Sequence, residues 1–105
     1  MRSYGVCVVL GGASGVGRKC VVEWAKSGRK VAYIDIDKES GRSLKEELDK
    51  ECAEENVFFF HGDINNEEDR EIFESVVRYR YGRVDCFLNN IPSYRMHYDS
   101  SRSAS

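Results

Sequence analysis

The chain has 105 residues, of which 41% are hydrophobic and 32% are charged, a balance typical of one small folded domain rather than a disordered protein. Its 16 basic and 18 acidic residues give a formal net charge of -2 and form no dense basic stripe, so we expect no nucleic-acid partner. The apolar run Val6–Leu10 is too short for a signal-peptide core or a transmembrane helix, so we expect no membrane partner.

The first predicted elements are two strands with a helix between them. Val6–Leu10 is almost wholly apolar, which is typical of a strand buried on both faces of a parallel sheet. Gly28 predicts the end of the helix, and Lys30–Asp35 predicts the second strand. The apolar stripe of that helix consists of Val16, Cys20, Val21 and Trp24.

The next predicted elements continue the alternation. Leu44, Leu48 and Cys52 recur every four residues among charges, which predicts a helix with one buried stripe. Residues 56–63 predict a third strand, and residues 83–90 a fourth. The helix between them has a predicted cap at Asn65 or Asn66 and a predicted buried stripe of Ile72, Phe73, Val76 and Val77.

Strands that alternate with helical segments predict an α/β fold with right-handed crossovers and a parallel sheet. We expect a partial Rossmann-type, doubly wound sheet of about four strands in the order 3-2-1-4, with three helices. The folded unit is predicted to cover residues 1–91. Residues 92–105 are rich in serine and show no sustained periodicity, so we expect a flexible, divergent tail there.

The cysteine pattern gives no sign of a metal site. Cys7, Cys20, Cys52 and Cys86 are scattered without a C-x-x-C pair, which argues against zinc and against a compact redox motif. We therefore expect reduced thiols and a cytoplasmic protein.

A glycine-rich loop follows the first predicted strand, with the sequence LGGASGVG at residues 10–17. Gly11, Gly15 and Gly17 would let backbone N–H groups approach a pyrophosphate, and the following helix would add its positive end. The spacing is neither G-x-G-x-x-G nor a P-loop. Turns and close packing also require glycine, so a purely structural role for this loop remains open.

Asp35 closes the second predicted strand, 18 residues after Gly17. An acid there can accept hydrogen bonds from both ribose hydroxyls of a dinucleotide, and its charge would repel a 2′-phosphate. The position therefore favours NAD over NADP. The alternative is that Asp35 only ends a strand or caps a turn beside Asp37. Arg18 and Arg42 are basic enough to serve a 2′-phosphate, but surface charge is their simpler role.

Four motifs in order resemble the cofactor half of the short-chain dehydrogenases/reductases: LGGASGVG, YID, HGDI and LNN, each at the end of a predicted strand. The resemblance covers residues 4–91, and the segment lengths are most similar to 15-hydroxyprostaglandin dehydrogenase-like NAD-dependent members. It implies a truncated NAD-binding Rossmann-type domain over residues 1–91. The parent activity that it implies is NAD-dependent oxidation of a secondary alcohol, including hydroxyprostaglandin-like substrates.

The resemblance also implies roles for individual residues. The pyrophosphate would be wrapped by Gly11, Ser14, Gly15, Val16 and Gly17. Asp35 would hold the adenosine ribose beside Ile36, and Asp63 and Ile64 would flank the adenine. Asn90 would approach the nicotinamide-side ribose, while Asn89 would tie the sheet together. A polar strand end is the alternative interpretation of the two asparagines.

The sequence departs from the family pattern at three places. Leu10 stands where the family usually has threonine, and Ile91 and Pro92 replace alanine and glycine. The chain contains no Tyr-x-x-x-Lys, the pair that supports hydride transfer in this family. We therefore expect no catalytic residues and no activity of this chain alone, as for a truncated isoform.

Two other functional classes remain open at this point. The fourth strand would lie at an exposed sheet edge, so the chain could be a non-catalytic protein that pairs with a partner through that edge. Half of an S-adenosylmethionine methyltransferase would share the glycine loop and an acid after the second strand. Asp63 and the Asn89–Asn90 pair favour the dehydrogenase.

Overall fold

The computed structural model describes residues 5–90 and confirms the predicted α/β fold. The elements are β1 (Val6–Leu10), α1 (Gly15–Lys26), β2 (Lys30–Asp35), α2 (Lys38–Asp49), β3 (Val57–His61), α3 (Glu67–Tyr81) and β4 (Cys86–Asn89). A short 3-10 turn at Glu54–Asn56 precedes β3. The four strands are parallel and lie in the predicted order, β3-β2-β1-β4.

The central strands are buried because helices cover both faces of the sheet. All five residues of β1 are buried, and alternate residues point to opposite faces. The α3-side core consists of Val8, Leu10, Ala32, Ile34, Ile64, Phe73 and Val77. The α1/α2-side core consists of Val9, Val21, Ala25, Val31, Tyr33, Leu44, Leu48 and Val57.

Two helix ends, at Asn66 and Gly28, are those that the sequence predicted, and Asp37 caps a third that the sequence did not predict. Asn66 is the N-cap of α3, where its side chain accepts a hydrogen bond from the Asp69 N–H at 2.9 Å. Asp37 caps α2 in the same way, and hydrogen bonds from Ser40 hold the pKa of this exposed carboxyl below its usual range. Gly28, just beyond α1, has φ +96°, a conformation that favours glycine.

Three details of the sequence predictions are wrong. The third and fourth strands, Val57–His61 and Cys86–Asn89, are shorter than residues 56–63 and 83–90, and Asn56 belongs to the 3-10 turn before the third strand. Ile72 is 46% exposed, since α3 turns only the face of Phe73 and Val77 toward the sheet. Val16 is 61% exposed and does not belong to the buried stripe of α1. The predicted tail, residues 92–105, lies outside the described residues.

Helix α2 approaches β3 closely at a glycine. The Phe59 ring occupies the space that a Cβ atom on Gly41 would need. The ring stacks on Tyr33 with centroids 5.1 Å apart, and the buried Tyr33 hydroxyl donates to the Gly41 carbonyl oxygen at 2.7 Å. Burial raises the pKa of Tyr33, so this hydroxyl stays protonated as a donor. This contact positions α2 directly after the end of β2.

No helix within residues 5–90 is long and apolar enough to cross a membrane.

Candidate functional site

The carboxyl ends of the four parallel strands lie at one edge of the sheet, where open α/β sheets bind ligands. Every residue that the resemblance assigns to cofactor binding lies at one of these strand ends or in the segment that follows it. After β1 come Gly11, Ser14, Gly15, Val16 and Gly17; after β2 comes Ile36, with Asp35 as its last residue; after β3 come Asp63 and Ile64; after β4 comes Asn90.

The part of the glycine-rich sequence that precedes α1, residues 11–14, is the glycine loop. It is hydrogen-bonded to the end of β2. The backbone N–H groups of Gly11 and Gly12 donate to the Ile34 carbonyl oxygen at 2.8 and 3.4 Å. The Ala13 N–H donates to Asp35 Oδ2 at 2.9 Å. A Cβ on Gly12 would lie 2.6 Å from Tyr33 Cβ, so the loop packs on the strand without space for a side chain. The sequence prediction missed this role of Gly12, although the repeated glycine was its signal.

Asn90 attaches the same loop to the end of β4. Its side-chain Nδ2 donates to the carbonyl oxygens of Gly11 and Ser14, at 3.0 Å each. Both hydrogens of the amide are therefore used within the protein. A Cβ on Gly17 would meet the Gly11 carbonyl oxygen and this amide, so the start of α1 approaches the loop closely. Asn90 thus fixes the shape of the loop through its amide nitrogen, and its amide oxygen takes no part in these two hydrogen bonds.

The N-terminus of α1 faces this edge without a capping side chain. Ser14 is the N-cap residue, but its side chain makes no cap hydrogen bond, and the first turn contains no acid. Helices α2 and α3, in contrast, have both a side-chain cap and acids in the first turn. The first N–H groups of a helix have no intrahelical acceptor and carry partial positive charge. This end of α1 is suited to an anion such as a phosphate.

The carboxylate of Asp35 is half-buried between two backbone donors. Oδ2 accepts from the Ala13 N–H and Oδ1 accepts from the Asp37 N–H, each at 2.9 Å. Each oxygen of an ionised carboxylate has a second lone-pair direction, so hydroxyl donors can still bind. Ile36 is 53% exposed next to it and offers an apolar surface.

The segment after β3 supplies backbone and carboxylate groups, and one of its predicted contacts is placed differently. Asp63 is half-buried, and its Oδ1 accepts from the Asn65 N–H at 2.9 Å. Ile64 is only 9% exposed, and its side chain belongs to the α3-side core. The structure thus directs this side chain into the core and leaves only the Ile64 backbone to flank a base.

Asp85 is a second residue that sequence reasoning missed. Its Oδ2 accepts from the Val6 N–H at 2.8 Å, and its own N–H donates to the Val6 carbonyl oxygen at 2.7 Å. Hydrogen bonds from Arg83 and from Val6 keep the pKa of this exposed carboxyl below its usual range. Asp85 therefore fixes the register of β4 on β1, and with it the position of Asn90.

The two arginines that could serve a 2′-phosphate lie on α1 and α2, and Arg18 is in the first turn of α1, next to the glycine loop. Arg18 on α1 pairs with Glu47 at 3.2 Å. Arg42 on α2 lines a cavity of about 550 Å³ beside β3, together with Phe58 and Arg80. No cluster of metal-ligating side chains occurs among residues 5–90. Asp35, in contrast, is a charged side chain that contacts the glycine loop directly.

Comparisons with known proteins agree with this architecture. A family model described as short chain dehydrogenase matches residues 5–101. L-fucose dehydrogenase of Mus musculus is 35% identical over 85 residues, which are 81% of this chain and 29% of that protein. Xanthoxin dehydrogenase of Arabidopsis thaliana is 31% identical over 85 residues, 81% of this chain and 30% of that protein.

Solved structures show the same fold. Glucose dehydrogenase of Caenorhabditis elegans in the apo form superposes with a TM-score of 0.81 at 22% identity, over 93% of this chain and 42% of that one. A short chain dehydrogenase from Bacillus anthracis gives a TM-score of 0.75 at 25% identity, over 84% of this chain and 35% of that one. The chain spans less than a third of the length of the mouse relative. The match over residues 5–101, the sheet order and the glycine loop after β1 together place this chain in the short-chain dehydrogenase family.

Proposed function

We propose that this chain is the NAD-binding portion of a cytoplasmic short-chain dehydrogenase whose complete form oxidises a secondary alcohol. We further propose that these 105 residues alone transfer no hydride. The observation that carries the cofactor proposal is the carboxylate of Asp35, which is held against the glycine loop by the Ala13 N–H at 2.9 Å.

The local geometry suits NAD better than NADP. Members of this family use nicotinamide dinucleotides, and the uncapped N-terminus of α1 suits their pyrophosphate. A carboxylate beside that loop can accept the 2′- and 3′-hydroxyls of ribose, whereas it repels a 2′-phosphate. Arg18 is paired with Glu47, so its charge is partly neutralised for a phosphate at this position. Bound NAD would supply the hydride acceptor, and the chain would supply its orientation.

The proposed lack of catalytic activity rests on the absence of a Tyr-x-x-x-Lys pair from the sequence. The family pattern needs a lysine four residues after the catalytic tyrosine, but the sequence has Arg83 four residues after Tyr79 and no Tyr-x-x-x-Lys anywhere. Tyr79 is 91% exposed near the C-terminal end of α3. Arginine remains charged and has a planar shape, so it does not replace lysine in a proton relay.

The substrate class of the complete form is broader than the sequence resemblance alone implied. The names of the relatives point to a sugar, to xanthoxin and to levodione. These relatives do not single out the predicted hydroxyprostaglandin-like alcohols, so the proposed substrate class is secondary alcohols in general. A substrate panel for the complete form should include sugars, terpenoid alcohols and hydroxyprostaglandins.

Calorimetry with NAD and NADP tests the cofactor proposal. We expect the 105-residue chain to bind NAD more tightly than NADP by at least about tenfold, which is about 1.4 kcal/mol. The same preparation should produce no NADH from the alcohol panel. A preference for NADP, or no binding by a folded chain, would contradict the cofactor proposal, and sustained NADH production would contradict the proposed inactivity.

A second candidate function is pairing with a full-length relative through β4. Within residues 5–90, β4 pairs only with β1, which leaves its other edge open. Val84 and Phe87 are 50% and 61% exposed and line a groove of about 300 Å³ with Phe73 and Val77. An apolar groove beside an open strand edge is suited to a further strand and helix of a related chain.

Mixing the chain with a full-length family member tests this candidate. We expect a complex in size-exclusion chromatography that Phe87→Lys weakens, because the charge would be buried at the contact. Ile72→Lys, at another exposed apolar position outside the groove, should leave the complex intact. If the native chain elutes only as a free monomer in the mixture, pairing with that relative is ruled out.

A further inference from the structure

We propose that Cys7 and Cys86 form an oxidisable dithiol, and that a peroxide converts it into a disulfide joining β1 to β4. The two residues are 79 positions apart in sequence but are direct partners in the β1–β4 register. Neither cysteine belongs to the proposed cofactor site. The proposal therefore goes beyond the cofactor function and does not depend on it.

The register places the two thiols together. Adjacent strands lie about 4.8 Å apart, which is within the Cα separation that disulfides require. Leu88, two residues after Cys86, packs against the α1/α2-side core, so alternation places Cys86 on the same face as Cys7. Cys86 also contributes to the raised pKa of Cys7, as a neighbouring thiol would.

The two thiols differ in solvent exposure, and this difference determines which of them reacts first. Cys7 is fully buried, whereas Cys86 is partly exposed on β4, an edge strand of the described sheet. Burial, together with the hydrogen bond to Cys86, raises the pKa of Cys7 to about 12, and the nearby Arg29 and Asp85 have smaller, opposing effects. Cys86 is therefore the thiol that meets the oxidant, because it is the more exposed of the two. Cys7 then attacks the oxidised Cys86 sulfur, because it is the partner of Cys86 in the strand register.

The proposed reaction balances with one peroxide. The Cys86 thiolate attacks a peroxide oxygen, the O–O bond breaks, and Cys86 becomes a sulfenic acid while water is released after protonation. The Cys7 sulfur then attacks the Cys86 sulfur, the S–O bond breaks, and the hydroxyl leaves with the Cys7 proton as a second water. The two thiols lose two electrons in total, and hydrogen peroxide gains them.

Peptide mapping of the peroxide-treated 105-residue chain tests the proposal, because trypsin places the four cysteines in different peptides. Free thiols are alkylated first, and digestion follows without a reductant. We expect peptides 3–18 and 84–95 to appear linked, with a mass about 2 Da below their sum. The linked chain should also unfold at a temperature higher by on the order of 10 °C, because a long loop is closed, and a reductant should reverse the shift.

Matched variants separate this pair from the other cysteines. Cys86→Ser should abolish the linked peptides, while the double variant Cys20→Ser with Cys52→Ser should retain them. Non-reducing electrophoresis should show a monomer. The proposal is overturned if folded native chain gives only sulfinic or sulfonic acid on Cys86, if the linked peptides join two chains, or if the link forms equally with Cys20 or Cys52.

Discussion

Replacing Gly11 with alanine is expected to destabilise the protein by about 2 to 5 kcal/mol. Gly11 has φ +80°, which costs an alanine about 1 to 2 kcal/mol. The new Cβ would also lie 2.6 Å from the Asn90 carbonyl oxygen, so either the glycine loop or the end of β4 must move. Urea unfolding at equilibrium measures the change in the free energy of unfolding.

Gly82 provides a matched control for the cost of placing alanine in the left-handed backbone conformation. Its φ is +81°, almost the same as that of Gly11, but a Cβ there would have no atom within 4 Å. Gly82→Ala should therefore cost only the left-handed conformation, about 1 to 2 kcal/mol. Equal losses for the two variants would show that the contact between the glycine loop and β4 does not constrain the protein. A Gly11→Ala chain that fails to fold, beside a folded Gly82→Ala chain, would agree with the prediction.

The sequence patterns predicted the fold where each local preference agrees with the packing. The bounds of β1 and β2 are Val6–Leu10 and Lys30–Asp35, as predicted. An apolar run that ends at glycines or at charged residues has few alternatives to a buried strand. Asn66 caps α3 as predicted because capping is a local interaction. The sheet order followed from the alternation and the handedness of crossovers.

The contacts that sequence patterns missed are those between distant segments. Nothing local shows that Gly12 packs on Tyr33, or that Asn90 donates both amide hydrogens to the loop that follows β1. Ile64 illustrates the same limit, because its place after β3 is local but its burial against Phe73 depends on how α3 crosses the sheet. Family resemblance selects the residues at the strand ends, and only the packing shows which side chains face outward.

Asp35→Asn is expected to change cofactor selectivity by about 10- to 100-fold in favour of NADP, equivalent to about 1.4 to 2.8 kcal/mol. The substitution removes a negative charge at the proposed ribose position, so a 2′-phosphate is no longer repelled. The asparagine oxygen can still accept one of the two backbone N–H groups that contact Asp35, from Ala13 and Asp37. The other N–H loses its acceptor, so a stability loss of about 1 to 3 kcal/mol should accompany the change.

Asp37→Ser is the matched control, because it removes a carboxylate only two residues away and keeps a good N-cap for α2. In the native chain, the Asp37 side chain accepts hydrogen bonds from the N–H and the hydroxyl of Ser40, which is not part of the glycine loop. Calorimetry with NAD and NADP should therefore give a nearly native affinity ratio for Asp37→Ser and a shifted ratio for Asp35→Asn. If both variants shift the ratio equally, the selectivity reflects the general negative charge after β2, and Asp35 has no specific contact with the ribose. If neither variant shifts the ratio while both remain folded, the 2′-position of the nucleotide does not lie beside β2 at all.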